Sequence, residues 1–206
     1  MKKNNTLTTI LVLIGAILLV YGVGKSGIFN TEKNNDFIEH IEEKEKEIKE
    51  LEASNLIPNI IEYGKLKPIK AEVAAPLEPK IFIVENNPDE LPDSDEVVRE
   101  YIYSSVYFQI PKDLRATNVD ELNVLVQLTS TYKETGTYTG GKPAYTNFVH
   151  VKILDMPSTK LIAERILTDS PPFTIAENQS SGRGYVGESD ISEYILDACG
   201  FGSLIE

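Results

Sequence analysis

Hydrophobic and polar positions change period several times along the chain, and each change predicts a different element. Residues 7–23 (LTTILVLIGAILLVYGV) carry no charge. A helix crossing a bilayer needs about 20 mostly apolar residues, with a working range of about 17 to 25. The run therefore predicts a transmembrane anchor over 7–23. Thr8 and Thr9 can return their hydroxyls to the helix backbone, and the Tyr21 ring suits the membrane interface. Lys2 and Lys3 favour a cytoplasmic N-terminus over residues 1–6, which sends the rest of the chain outside the cytoplasm. A cleaved signal peptide shares the basic start, the apolar core and the small residues Gly22 and Gly24 at cleavage spacing. A buried core helix is a third reading. The length of the run favours the anchor, as does Lys25, which would directly follow the cut. No cysteine stands near the end of the run, which disfavours a lipoprotein.

Residues 24–54 read as an exit segment and a charged stalk helix. Asp36–Ala53 (DFIEHIEEKEKEIKELEA) places Phe37, Ile41, Ile48 and Leu51 on one stripe, with Ile38 beside it. Pairs such as Glu42–Lys46 and Glu45–Lys49 support the helix. Ile41 to Ile48 is one heptad, and Ile48 to Leu51 an a-to-d step, but Lys44 occupies the d position between them. The stripe fits a short homo-oligomeric coiled coil or a solvated spacer helix lying partly on the domain. Residues 55–79 carry Pro58, Pro68, Pro76 and Pro79. They are expected to form a linker with one strand-like stretch docked on the domain.

Residues 80–206 read as the extracytoplasmic domain. Lys80–Glu85 predicts a first strand, and 86–96 (NNPDELPDSDE) an acidic loop. Val97–Ile110 is rich in β-favouring residues. Leu122, Val124, Val126 and Leu128 alternate with polar residues broken only by Leu125. Val149, Val151 and Ile153 alternate with His150 and Lys152. With 160–167 these make an antiparallel meander. Ser189 or Asp190 is expected to cap a final helix, with Asp190 and Glu193 at capping-box spacing. Ile191, Ile195, Leu196 and Cys199 give its apolar face and Gly200 its end. The fold class expected is α+β: an N-terminal transmembrane helix and a charged stalk helix, then an antiparallel β-sheet domain with a C-terminal helix.

Composition narrows the partners. Thirty-two acidic against 20 basic residues give a net charge of −12 in 206 residues. Such a surface repels phosphates, so nucleic acid and anionic headgroups are excluded as ligands of the domain. The lone Cys199 forms no internal disulfide and reads as a small buried hydrophobe. The lysine-, asparagine- and isoleucine-rich usage looks bacterial, so "outside" means periplasm or cell surface.

Chemistry-bearing motifs are sparse. Gly22–Ser26 (GVGKS) lacks the first glycine of a phosphate loop, Gly136–Lys142 (GTYTGGK) continues with Pro143, and Gly182–Gly187 (GRGYVG) follows no strand that could build a βαβ unit. None is read as a nucleotide site. His40 and His150 have no partners at zinc spacing, and no metal or other cofactor is expected. The acidic loop lacks the spacing and glycine of an EF-hand. Ser189 and Ser192 have no predictable histidine neighbour, and no pair of carboxylates stands out. Tyrosines are the remaining signal. Tyr101 and Tyr103 share a strand face, Tyr138 lies in the turn Thr135–Pro143, and Tyr145 follows it. Tyrosine combines large contact area with a polar tip, although it is also an ordinary strand residue. The expectation is a membrane-anchored, non-enzymatic binding or assembly module. It meets a protein partner through Tyr138, Tyr145, Tyr101 and Tyr103. A membrane-anchored hydrolase using carboxylates or Ser189, and a structural oligomeric stalk subunit, are the alternatives.

Overall fold

The computed structural model describes residues 42–51, 53–87 and 100–202; of residues 57, 61, 86, 87 and 100–103 it describes the backbone. The anchor expected over 7–23, the start of the stalk helix and most of the acidic loop lie outside the described residues. Among the described residues, no helix is long and apolar enough to cross a membrane. The chain divides into two units between Glu50 and Leu51. Of the first, residues 42–50 are helical, and Lys46 Nζ lies 3.8 Å from Glu50 Oε1 one turn on.

The second unit is a mixed α+β domain. Its strands are β1 (Ile69–Glu72), β2 (Ile81–Asn87), β3 (Glu100–Tyr103), β4 (Val124–Thr137), β5 (Pro143–Asp155), β6 (Lys160–Asp169) and β7 (Gly182–Arg183). Six form one sheet in the order β1-β6-β5-β4-β2-β3, and β7 pairs with β5. Two short helices, α1 (Ile60–Lys65) and α2 (Glu188–Ala198), complete it. The meander β4-β5-β6 is antiparallel as expected. The sheet as a whole is not: β2 runs parallel to β4, β1 to β6 and β7 to β5. Side-chain alternation within a strand reports its faces and not the direction of its neighbour. That direction is set here by the long connection from β2 through β3 and two 3-10 turns to β4, long enough to return the chain to the same end of the sheet.

Both faces of the sheet are covered where β4 begins. On one face lie Ile83, Val126, Leu128 and Val151, on the side of α2, and on the other Phe82, Leu125 and Leu154. Tyr63 of α1 meets Phe82 edge-on, ring centroids 6.3 Å apart. This second cover comes from the stretch expected to be a linker. Within 55–79, a 3-10 turn (Ile57–Asn59) and α1 bury Leu56, Ile60 and Tyr63 in the core. Pro58 falls in the first turn, where a missing N–H breaks no helical hydrogen bond. Leu51, expected on the stalk's oligomer stripe, is also in this core.

Two further expectations change. Of the β-favouring stretch Val97–Ile110, the described residues are strand only to Tyr103, where β3 ends, and Ser104 turns the chain into a 3-10 helix, Ser105–Gln109, by accepting the Val106 N–H at 3.2 Å. This buries Tyr107 against Phe82 and lets its hydroxyl donate to the Ala116 carbonyl at 2.9 Å. Neither Ser189 nor Asp190 caps α2. The helix starts earlier, at Glu188, behind Gly187, and has no side-chain cap. Glu188 accepts the Ser105 hydroxyl at 2.6 Å, so the first turn is held from outside the helix. Gly200 ends α2 in the left-handed region (φ +87°). The Phe201 N–H bonds to Leu196 O and the Gly200 N–H to Asp197 O, which satisfies the last carbonyls in a Schellman arrangement.

Candidate functional site

The tyrosines singled out in the sequence do not form one surface. Tyr138 opens the β4–β5 turn, where Gly140 and Gly141 both take positive φ. Its hydroxyl donates to the Pro172 carbonyl at 2.5 Å. Its ring packs so closely on Gly182 that a Cβ there would lie 2.7 Å from Cε2. Tyr138 therefore pins the 170–182 loop to the hairpin. Tyr145 lies opposite Glu134 on β4, and the Arg183 guanidinium sits 6.0 Å from its ring centroid and 5.4 Å from that of Tyr132. Tyr101 and Tyr103 are on β3, opposite Asn86 and Val84, and two strands, β4 and β2, separate β3 from β5. The Gly182–Gly187 glycines serve packing: Gly182 against Tyr138 and Gly184 against the Asp169 carbonyl.

The structure instead gathers polar side chains in an open cleft of about 150 Å³ on the α2 side of the sheet. Its floor is Leu128, Ser130 and Tyr132 of β4 beside Asn147 and Val149 of β5. Glu85 reaches it from β2. The 3-10 helix supplies Ser105, and the approach to α2 supplies Tyr185 and Glu188. The floor is rigid. Buried Asn147 donates to Ser130 Oγ at 2.9 Å and accepts the Val186 N–H at 3.3 Å. Glu188 is held by Ser105 and by Gln109 Nε2 at 3.3 Å.

The field in the cleft is negative. Burial pushes the Glu85 carboxyl above its ordinary value; a hydrogen bond with the Ser104 side chain opposes this, and the charge of Glu188 adds to it. Tyr185 is likewise raised, first by partial burial and then by the charges of Glu188 and Glu85. Among the described residues, no lysine, arginine or histidine lines the cleft. Among the described residues, no group of three or more His, Cys, Asp or Glu side chains is arranged to hold a metal ion.

The other catalytic candidates are separated. His150 lies on the face away from α2 and is 2.6 Å from Glu164 on β6. Ser189 and Ser192 belong to α2, and the Ser192 hydroxyl donates to the Ser189 carbonyl at 2.9 Å. The sheet stands between the histidine and both serines. Cys199 is buried, and desolvation pushes its thiol up to about 11.

Sequence reasoning missed Glu85 and Glu188. They are 103 positions apart, on a strand end and a helix start, and only the parallel β2–β4 pairing brings them to one cleft.

No family model matches the chain, and no curated relative does. Among solved structures, the chain is similar to the crystal structure of protein XCC0632 from Xanthomonas campestris (family DUF330). The identity is 12%, the match covers 65% of this chain and 91% of that one, and the TM-score is 0.30.

Proposed function

We propose that the protein is a membrane-anchored, non-enzymatic binding or assembly module whose domain works outside the cytoplasm on a protein partner. The uncharged run 7–23, with the basic pair before it, supports the anchor and its orientation. The size of the cleft carries the binding reading. Sites that enclose a small-molecule substrate occupy roughly 300–1,000 Å³, whereas this cleft offers about 150 Å³ and stays open to solvent. That volume suits one side chain presented by a larger partner.

The test is a crosslinked pull-down from membranes that compares the full chain with a chain ending at Glu50. A specific partner retained only by the full chain is the expected result. A partner kept by the shortened chain, or none with either, would overturn the reading.

One observation favours a second reading. Glu85, whose carboxyl burial raises above its ordinary value, shares a cleft with Glu188. Acid catalysis by a hydrolase uses such a difference between two carboxyls. Turnover that Glu85→Gln abolishes would establish it.

A further inference from the structure

The cleft has the parts of a cation receptor, and among the described residues no basic side chain lines it. Two carboxylates, Glu85 and Glu188, line it together with the rings of Tyr132 and Tyr185. The oxygens of Glu188 each accept one hydrogen bond, from Ser105 and Gln109, which fixes the carboxylate and leaves further lone pairs on both atoms. Its orientation is therefore set before a ligand arrives, which lowers the entropy lost on binding. Arg183 stacks on the Tyr132 ring but does not line the cleft.

We infer that the cleft receives the guanidinium head of an arginine side chain from the protein partner. Three properties select that head. Its charge is opposite to that of both carboxylates. Its plane can lie on a tyrosine face while its edges donate to carboxylate oxygens, which a spherical ammonium does less well. A cavity of about 150 Å³ accommodates a group of about benzene size, which suits a guanidinium with its last methylenes. A guanidinium is also weakly hydrated, so a half-open cleft removes it from water at modest cost. The inference rests on the binding-module reading and names the chemistry that its cleft recognises.

The probes are N-acetyl-arginine amide and its neutral isostere N-acetyl-citrulline amide. Each is titrated calorimetrically into the full chain in detergent micelles. The arginine probe is expected to bind saturably, and the citrulline probe about tenfold or more weakly. Glu85→Gln and Glu188→Gln are each expected to weaken the arginine probe by a similar factor and to leave the citrulline probe unchanged. Glu188 also holds Ser105 and Gln109, so Glu85→Gln, which removes one charge while keeping the side chain's shape, is the decisive variant. Equal binding of both probes, no saturable binding of arginine, or full affinity in the folded Glu85→Gln protein would each overturn the inference. The crosslinking arm separates the two levels. If a partner needs residues 51–206 and its capture is indifferent to Glu85→Gln, the binding module stands and the arginine site falls. If the arginine probe binds as expected but no partner needs the domain, the site stands and the protein-partner reading falls.

Discussion

Gln127 Nε2 lies 2.6 Å from the Tyr63 carbonyl oxygen and 3.0 Å from that of Leu66. One buried side chain on β4 thus caps the C-terminal end of α1, adding to the Leu66 N–H, which reaches the Glu62 and Tyr63 carbonyls. Gln127→Leu keeps the volume and leaves those carbonyls buried with fewer donors. The expected cost is about 1–3 kcal/mol of stability, read as a lower denaturant midpoint at unchanged m-value. Gln127→Glu puts an acceptor against acceptors and is expected to be worse.

The same face of β4 shows why the sequence was only partly legible. Leu125 and Gln127 stand on the supposed solvent face of β4, and alternation alone makes Leu125 a defect and Gln127 ordinary. Both follow once α1 covers that face, and α1 comes from a proline-containing stretch that looks like a linker. The meander was readable because three consecutive strands joined by short turns are local in sequence. The parallel β2–β4 pairing was not, because it is set by a connection and not by a pattern. The cleft depends on that pairing, so its two carboxylates could not be paired by spacing. Tyr107 reads as a strand residue by propensity, yet Ser104, directly after β3, turns it into the core.

Tyr138 and Gly182 act as one joint between the hairpin and the 170–182 loop. Tyr138→Phe removes the hydroxyl bonded to Pro172 and is expected to cost about 0.5–1.5 kcal/mol. Gly182→Ala is expected to cost more. Its Cβ would lie 2.2 Å from the Tyr138 hydroxyl and 2.7 Å from Ile175 Cγ2, which forces the ring out. Combining Gly182→Ala with Tyr138→Ala should recover part of the loss, because the clash partner is gone. Thermal unfolding of Tyr138→Ala, Gly182→Ala and the double variant checks the cycle.

Gly184 faces backbone and so has no such rescue. A Cβ there would lie 2.0 Å from the Asp169 carbonyl oxygen, while the Gly184 N–H is bonded to the Tyr145 carbonyl at 2.9 Å. Gly184→Ala is expected to detach the β7 segment from β5, at a cost of about 1–3 kcal/mol. Amide exchange at Gly184 should speed up while the centre of β4 stays protected.

Glu85 makes stability depend on pH with a sign opposite to that of a salt-bridged carboxylate. Burial raises its folded pKa above the ordinary value of 4.5. Between those two values the folded state holds a proton that the unfolded state has lost. Its contribution is therefore fully present below 4.5 and is lost as pH rises through the folded value. Glu85→Gln should remove this fall. Melting temperatures of the two proteins, measured upward from acid, should diverge in favour of the variant; parallel curves would contradict the assignment.

Cys199 extends the same argument to alkaline pH and supplies a probe of opening. Its thiol is buried at the end of α2 and pushed from 9.0 up to about 11 by desolvation alone. The thiolate is the reactive form, so in folded protein at neutral pH alkylation should be slow on both counts, access and ionisation. Adding denaturant should bring the rate to that of an exposed cysteine, since the unfolded thiol meets neither obstacle. The folded state keeps its proton between 9.0 and about 11, so the thiol's contribution is complete below 9.0 and fades as pH climbs through about 11. Cys199→Ala should abolish that alkaline loss and cost a little packing at neutral pH. Rapid alkylation of the native chain at neutral pH would place Cys199 outside the core and contradict the packing of α2 on the sheet.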